Sequence, residues 1–375
     1  MKKKLKIVLV IGTRPEGIKL FPIYRELRKS PELFQPVVIC TGQHEELAEQ
    51  VFEFFNFKPD FSFEVMQKNQ SLSTLTLKLI PLLTNCFFGL EPSIVLVQGD
   101  TSSAFIASLA AYYAKVRLCH MEAGLRTGCL FNPFPEEANR KMIGTLAGFH
   151  FAPTETAKQN LLSEGIKKDR IFVTGNTVID AARMVLKHSI TPDMDKLLPH
   201  GAEDQAIILV TAHRRENFGQ PLKNIRLALE QIAATSKKFL IILMMHPNPN
   251  VKEAFEGIDK EGEVSNIKIL PPLCYPEFLF YMTKAFLILT DSGGLVEEAS
   301  ILGKPVLILR EVTERPESVN AGIAKIVGTR IQDIYRQVLH LYGCKKDYDQ
   351  MARKLELYGD GHAAEKIVKI LPELC

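Results

Sequence analysis

Short apolar runs alternate with amphipathic segments along almost the whole chain. The runs are continuous rather than alternating in polarity, which is typical of strands covered on both faces of a parallel sheet. The predicted strands are 6–11, 36–41, 94–98, 116–121, 149–152 and 171–174 in the first half, and 206–211, 239–245, 266–270, 286–290, 305–309 and 325–327 in the second half. Strands separated by helices in this way predict an α/β fold with parallel sheets.

The alternation breaks at 189–201, which contains prolines and a glycine and shows no clear periodicity. A chain of 375 residues is long for a single core, so the break is interpreted as a linker between domains. We therefore predict two Rossmann-like, doubly wound domains, at 1–188 and 202–360. Ligands of such domains bind beyond the carboxyl ends of the strands, which predicts a site in a cleft between the two domains.

Composition excludes several classes of protein. Charged residues are 24% of the chain and the net charge is +3, which argues against a dedicated nucleic-acid or membrane-surface protein. Seven scattered cysteines without a Cys-x-x-Cys pair predict a reduced, cytoplasmic protein with no disulfide and no structural metal. The apolar start lacks a cleavage site and is interpreted as a strand. The apolar segment 72–90 contains Lys78, Pro81 and Asn85, so we predict a soluble helix and no membrane span.

A strand, a turn and a helix are predicted around two consecutive glycines. The strand 286–290 is followed by Ser292, which is a favourable N-cap, and by Gly293 and Gly294 at the start of the helix. Free amide N–H groups at a helix start form an anion site that suits a diphosphate. Glu298 lies about one turn further on and has two oxygens to accept hydrogen bonds from a ribose diol. The alternative is an ordinary turn whose glycines serve tight packing.

Polar residues also follow the first two predicted strands. Arg14 and Lys19 flank the start of a helix, where they are candidates to hold phosphates. The loop is not a Walker A motif, because Gly-Lys-Ser/Thr is missing. Gln43 and His44 follow the second strand at the edge of the expected cleft. The alternative for all four residues is an exposed or structural role.

Three acidic residues follow strands of the first domain. Asp100 lies where a strand becomes a helix, Glu122 directly follows the fourth strand, and Glu136 begins a helix after two prolines. The alternatives are an N-cap for Asp100 and dipole complementation for Glu136. Because all three fall at the carboxyl ends of strands in one sheet, we expect them to converge. Mutual repulsion would then raise at least one pKa and supply an acid and a base.

Basic residues follow the first two strands of the second domain. His213 ends the first of these strands and has Arg214 beside it, which favours contact with an anion. His246 ends the next strand. The alternative for His213 is a buried, neutral histidine.

Two further groups of the second domain are candidates to bind a ligand. The segment from Leu273 to Phe278 follows the third strand, and its aromatic ring is a candidate to stack on a nucleobase. A plain core position is an equally good interpretation of Phe278. Arg315 follows the fifth strand and is a candidate to reach a phosphate or a ring hydroxyl.

The motifs, taken together in this order and spacing, resemble those of the non-hydrolysing UDP-N-acetylglucosamine 2-epimerases over nearly the whole chain. They are Gly12-Thr-Arg-Pro-Glu, Gly99-Asp-Thr, Glu122-Ala-Gly-Leu-Arg-Thr, Pro135-Glu-Glu-Ala-Asn-Arg, Pro153-Thr-Glu-Thr, Thr174-Gly-Asn-Thr-Val-Ile-Asp, His213-Arg-Arg-Glu, Thr290-Asp-Ser-Gly-Gly and Thr313-Glu-Arg-Pro-Glu. The resemblance implies the GT-B architecture, a homodimer, and a last helix near 361–371 that crosses back, so that 361–375 joins the first domain.

The family's reaction inverts C2 of UDP-N-acetylglucosamine by eliminating UDP and adding it back through a 2-acetamidoglucal. No cofactor and no metal are implied. By motif, the resemblance assigns proton transfer to Asp100, Glu122 and Glu136, and phosphate contact or acid–base chemistry to His213. It assigns the remaining substrate contacts to Arg14, Lys19, Leu273, Phe278, Ser292, Gly293, Gly294, Glu298 and Arg315.

Bacterial members often bind a second substrate molecule as an activator. The residues assigned to such a site here are Gln43, His44, Gln70, Arg214 and His246. Asn69 stands where an arginine is expected, and Glu46 follows the Gln-His pair, so weak or absent activation is predicted. The alternative functions are a glycosyltransferase that uses a UDP-sugar donor, a hydrolysing epimerase and a non-catalytic UDP-sugar sensor.

Overall fold

The computed structural model describes residues 4–42, 45–65, 70–199, 201–258 and 266–375; Gln43, His44, Asn69 and the side chain of Glu46 lie outside it. The strands are β1 Leu5–Ile11, β2 Phe34–Cys40, β3 Phe61–Ser62, β4 Ile94–Gln98, β5 Arg117–Met121, β6 Phe149–Ala152, β7 Ile171–Val173, β8 Ala206–Thr211, β9 Phe239–Met244, β10 Ile267–Leu270, β11 Leu287–Thr290, β12 Val306–Ile308 and β13 Ala324–Ile326. The α-helices are α1 Arg14–Leu27, α2 Glu45–Phe54, α3 Leu72–Leu90, α4 Ser102–Tyr113, α5 Glu136–Leu146, α6 Glu155–Ser163, α7 Thr177–His188, α8 Gln220–Thr235, α9 Pro249–Phe255, α10 Tyr275–Lys284, α11 Gly293–Leu302, α12 Pro316–Asn320, α13 Ile331–Gly343, α14 Lys345–Met351 and α15 Ala363–Ile370.

Every strand expected from the apolar runs is present, and the bounds differ only slightly. The short strand β3 was not expected, because its two residues are exposed and belong to no apolar run. Strands such as β4 and β9 are buried along their whole length, which explains their continuous apolar sequence.

The strands form two parallel sheets, with the orders β3-β2-β1-β4-β5-β6-β7 and β10-β9-β8-β11-β12-β13. In each sheet the strand order reverses between the first and fourth strands of that sheet, which are β1 and β4 in one sheet and β8 and β11 in the other. The loops at the carboxyl ends of these strands therefore border the crevice in which doubly wound sheets bind their ligands.

The chain divides into two compact units. Unit 1 comprises Met1–Arg183 and Tyr358–Cys375, and unit 2 comprises Met184–Leu357. The last helix, α15, packs against α1 of unit 1. The backbone N–H groups of Ala363 and Ala364 donate to the carboxylate of Asp180, which satisfies orphan donors at the start of α15.

Helix α3 is long and apolar enough to cross a membrane by length and composition. One of its faces packs in the core of unit 1 through Leu75, Leu79, Leu83 and Phe87. Only 22% of its 18-residue apolar stretch is buried, so the soluble helix without a membrane span stays a prediction.

Candidate active site

A buried acid joins the two loops at the reversal of the unit 1 sheet. Glu16 in the first turn of α1 is 3% exposed. Its carboxylate accepts the N–H of Gly12 at 2.9 Å and the hydroxyl of Thr101 at 2.6 Å. Gly12 follows β1 and Thr101 follows β4, so Glu16 holds the two loops together. Glu16 was not among the predicted site residues, because nothing in its motif indicates burial.

Burial raises the pKa of Glu16 from 4.5 to about 7, although Thr101 and other hydrogen-bond donors oppose the shift. Because the folded state binds the proton more tightly than the unfolded state, stability falls as the pH rises from 4.5 to 7. We expect this loss to be about 3 kcal/mol and to be absent from Glu16→Gln. Urea denaturation of both proteins between these pH values measures it. Parallel curves for the two proteins would show that Glu16 titrates normally.

The turn that carries Asp100 is held from two further sides. Nε2 of the buried His120 lies 2.7 Å from the carbonyl oxygen of Gly99. Burial lowers the pKa of His120 well below its ordinary value, so the ring is neutral and its Nε2–H donates to this carbonyl. Asn139 donates to the carbonyl of Asp100 at 2.9 Å. The N-cap of α4 is Thr101, which accepts the N–H of Ala104, so the N-cap interpretation of Asp100 is wrong.

Asp100 and Glu122 converge on one arginine. The Arg140 guanidinium forms an ion pair with Asp100, lies 3.7 Å from the Glu122 carboxylate and donates to the Glu122 carbonyl. Lys19 forms an ion pair with the same Glu122 carboxylate, and Gln98 donates to it. Cations therefore separate the two acids, and the expected mutual repulsion is replaced by charge pairing. Arg140 and Gln98 were not among the predicted site residues, because neither belongs to a cluster of charged residues in the sequence.

Glu122 has an unusual backbone. Its φ is 59°, in the left-handed region that side chains other than glycine rarely adopt, and the residue is 6% exposed. Strained residues of this kind persist where the surroundings hold them, and they cluster at functional sites. Here the guanidinium of Arg140 and the amine of Lys19 supply those surroundings.

Two further predicted residues of unit 1, Glu136 and Arg14, begin helices that border this site. Glu136 is half-buried and begins α5, four residues before Arg140 on the same helix face. Its neighbour Glu137 accepts the N–H groups of Thr127 and Gly128 and so holds the preceding loop. Arg14 is the first residue of α1 and, like Gln70, is half-buried.

A second buried acid joins the corresponding loops of unit 2. Asp291 follows β11, is 1% exposed and accepts the N–H groups of His213 and Arg214 at 2.8 Å each. Asn217 donates to the same oxygen at 3.0 Å. His213 and Arg214 follow β8, so Asp291 plays in this sheet the part that Glu16 plays in the other.

The imidazole of His213 is one-third exposed, and its Nδ1 lies 3.4 Å from the Asp291 carboxylate. Burial lowers the pKa of His213, and the Asp291 charge opposes this shift. The ring stacks on that of His246, with centroids 5.1 Å apart. Arg214 and His246 were assigned above to an activator site. Arg214 follows His213 in the same loop, and His246, in the loop after β9, stacks on its ring.

At the start of α11, close packing requires glycine at only one of the two glycine positions. A Cβ at Gly293 would lie 2.4 Å from Nη1 of Arg315, whereas a Cβ at Gly294 would meet open space. Gly293 therefore lets the Arg315 guanidinium approach the backbone, and Gly294 leaves the helix start accessible. Ser292 occupies the N-cap position as predicted, although its side chain makes no capping hydrogen bond.

The guanidinium of Arg315 is paired with two acidic side chains. It forms ion pairs with Glu297 at 2.8 Å and with Glu314 at 3.4 Å. Burial alone would raise the pKa of Glu314, but Arg315, Arg214 and Arg310 lower it well below its ordinary value. Glu297, Glu314 and Arg310 were not among the predicted site residues.

The groups assigned to ribose and base lie on α10 and α11. The buried Glu298 accepts the hydroxyl of Tyr275 at 2.6 Å, which links the two helices. Leu273 precedes α10 and Phe278 lies on it, and both are half-buried. Phe278 is only partly buried, and both interpretations of its ring stay predictions.

Comparison with known proteins shows extensive similarity. A family model described as UDP-N-acetylglucosamine 2-epimerase matches residues 25–372. The UDP-N-acetylglucosamine 2-epimerase of Salmonella typhimurium is 43% identical over 372 residues, with 98% of each chain covered. That of Bacillus subtilis is 44% identical over 370 residues, with 98% of this chain and 95% of that chain covered.

Solved structures show the same similarity. The Neisseria meningitidis UDP-GlcNAc 2-epimerase bound to UDP-GlcNAc has a TM-score of 0.94 and 43% identity, covering 98% of this chain and 100% of that chain. The Methanocaldococcus jannaschii UDP-GlcNAc 2-epimerase in complex with UDP-GlcNAc and UDP has a TM-score of 0.87 and 34% identity, with the same coverage.

Proposed function

The chain belongs to the UDP-N-acetylglucosamine 2-epimerase family, and we propose that it converts UDP-N-acetylglucosamine to UDP-N-acetylmannosamine reversibly and without hydrolysis. The observation that carries this proposal is the convergence of Asp100 and Glu122 on Arg140 at the ligand-binding edge of a doubly wound sheet. Paired acids and cations at such an edge suit proton transfer next to a departing anion.

The reaction has a physical difficulty that the site must solve. The C2 proton is not flanked by a carbonyl, so departure of UDP must build positive charge at the anomeric carbon before or while the proton is lost. We propose elimination of UDP to a 2-acetamidoglucal, followed by its addition with the proton on the other face. Carboxylates then accept and return the proton. N–H groups and cationic side chains of the site stabilise the departing diphosphate.

We assign the proton transfers to unit 1. The Asp100 side chain is 25% exposed, whereas that of Glu122 is 3% exposed. Asp100 is therefore the acid that a sugar ring reaches most readily, and Glu122 orders Lys19 and Arg140 around it. We include Glu136 because its helix supplies two side chains to the Asp100 turn.

We assign the nucleotide to unit 2. The helix start at Gly293 and Gly294 offers N–H groups to the diphosphate, and Arg315 lies against Gly293. Ser292 directly precedes this helix start in the chain. His213 is held beside it, because its N–H donates to Asp291. We propose that Glu298 binds the ribose, and that Phe278 and the Leu273 backbone bind the uracil.

One incubation in deuterated water tests the function. The protein is mixed with UDP-N-acetylglucosamine alone, and C2 is followed by NMR. Deuterium at C2 of both epimers is the expected result. Free UDP with free sugar would instead establish a hydrolysing epimerase. An unchanged substrate would contradict the proposal and favour a glycosyltransferase or a sensor.

Two glycine variants test the assignment of the diphosphate. Gly293→Ala is expected to displace Arg315 and lower the Tm, because its Cβ would lie within 2.4 Å of the guanidinium. Gly294→Ala is expected to keep or raise the Tm, because alanine favours a helix by about 1 kcal/mol over glycine. We expect Gly294→Ala nonetheless to weaken UDP binding, since the Cβ would fill the space of the ligand. Unchanged UDP affinity in Gly294→Ala, measured by calorimetry, would remove the diphosphate from this helix start.

We also propose a homodimer, formed through α3 and α4. These neighbouring helices expose large apolar side chains, namely Leu77, Leu82, Phe88, Tyr112 and Tyr113. Exposed apolar surface of this kind marks protein–protein contacts. Sedimentation is expected to give a dimer for the wild type and a monomer for Leu77→Glu/Phe88→Glu. Leu227→Glu on α8 changes an exposed leucine of unit 2 and is expected to remain dimeric; a wild-type monomer would contradict the proposal.

A further inference from the structure

The junction of α13 and α14 brings three different metal-ligand side chains together. His340, Cys344 and Asp347 each place one ligand atom within 4.8 Å of the ligand atoms of the other two. The Nε2 of His340 lies 2.6 Å from a carboxylate oxygen of Asp347. Both of these side chains are about half exposed, and Cys344 is half-buried, so a dissolved cation can reach the cluster. None of the three residues belongs to the candidate active site.

The backbone explains why the three side chains come together. Only Cys344 separates the end of α13 from the start of α14, and it is not helical, with φ −116° and ψ 87°. Its N–H donates to the His340 carbonyl at 2.8 Å, and its carbonyl accepts the N–H of Tyr348 at 3.0 Å. His340 and Asp347 therefore each lie about one turn from Cys344, and the side chains of all three residues meet at the junction.

Contrary to the prediction of no structural metal from the cysteine pattern, we propose that His340, Cys344 and Asp347 form a site for a divalent cation of the zinc class. An imidazole nitrogen, a thiolate and a carboxylate are ligands that Zn²⁺ accepts, whereas Mg²⁺ and Ca²⁺ select oxygen ligands. Tetrahedral Zn²⁺ holds its ligand atoms about 3.5 Å apart. The pair of His340 and Asp347 reaches this spacing when their exposed side chains move apart by about 1 Å, and the Cys344 sulfur lies within 4.8 Å of both ligand atoms. Water supplies the fourth ligand.

A bound cation links the helices α13 and α14. α13 packs on α8 and buries Ile334, Val338 and Leu341, whereas no residue of α14 is fully buried. A cation held by one ligand from each helix and one from the junction secures α14 to the better-packed α13. The cation acts on stability and not on the proposed reaction, because its ligands are not assigned to catalysis.

The full chain, stripped with a chelator, is titrated with Co²⁺ and then Zn²⁺. One equivalent of Co²⁺ is expected to give a sulfur-to-cobalt charge-transfer band that Zn²⁺ abolishes. Cys344→Ser is expected to abolish the band, and His340→Ala and Asp347→Asn to weaken binding by about tenfold or more. Zn²⁺ is expected to raise the Tm of the wild type but not of Cys344→Ser.

Two matched variants control for other surface ligands. Cys129→Ser removes another exposed thiol, and His362→Ala removes an exposed histidine that lies 3.5 Å from the Glu365 carboxylate. Both are expected to bind Co²⁺ as the wild type does. A band that survives Cys344→Ser, or that disappears in Cys129→Ser, overturns the proposal, as does a wild type that gives no band.

Discussion

Asp100→Asn is expected to lower kcat for C2 epimerisation by about a hundredfold to ten-thousandfold, the usual range for loss of a general acid or base. The substitution keeps the shape of the side chain, and the amide oxygen still accepts from Arg140. UDP affinity is expected to be unchanged, because we assign the nucleotide to unit 2. Quenched time courses give kcat, and calorimetry gives the Kd for UDP.

The matched control is Asp169→Asn, an exposed acid of the same unit, which is expected to retain wild-type turnover. Glu122→Gln and Glu136→Gln are expected to lose most of their turnover as Asp100→Asn does, while still binding UDP. Full activity in any of the three variants would remove that acid from the chemistry.

Lys19→Met is expected to destabilise unit 1 by about 3 kcal/mol and to lower turnover as well. The side chains of Lys19 and Glu122 are 11% and 3% exposed, so the substitution leaves a buried carboxylate without its lysine partner, with Arg140 and the amide of Gln98 beside it. Removing one partner of a buried ion pair costs about 3–5 kcal/mol of stability. Because Arg140 still pairs with Glu122, we expect a loss at the lower end of this range. The shift in the urea unfolding midpoint measures the destabilisation.

The double variant Lys19→Met/Glu122→Gln separates stability from catalysis. Replacing the stranded carboxylate by a neutral amide is expected to recover most of the stability, because no unpaired buried charge remains. Turnover is expected to stay low, since the acid is also missing. A double variant as unstable as the sum of both single variants would show that the ion pair contributes little.

All strands except β3 were predicted from the sequence, because each of them is a continuous apolar run, as burial on both faces of a sheet requires. Asp100 and Glu122 were also predicted as neighbours, because parallel strands end at the same edge of a sheet. The expected repulsion between them was not found, because Arg140 lies on α5, remote from both acids along the chain and next to them in space. Likewise, nothing in the sequence around Glu16 shows that its carboxylate is buried against Thr101.

The chain by itself determined two parallel α/β sheets, the loops that bear polar side chains, and the membership of an enzyme family, since all of these follow from local periodicity and short motifs. The partners of the charged side chains were decided only by the tertiary structure. Glu16 and Asp291 join loops at the reversal of each sheet, and Arg315 lies where Gly293 has no side chain. Such pairings depend on the order of strands in the sheet, and strand order brings together residues that no local pattern connects.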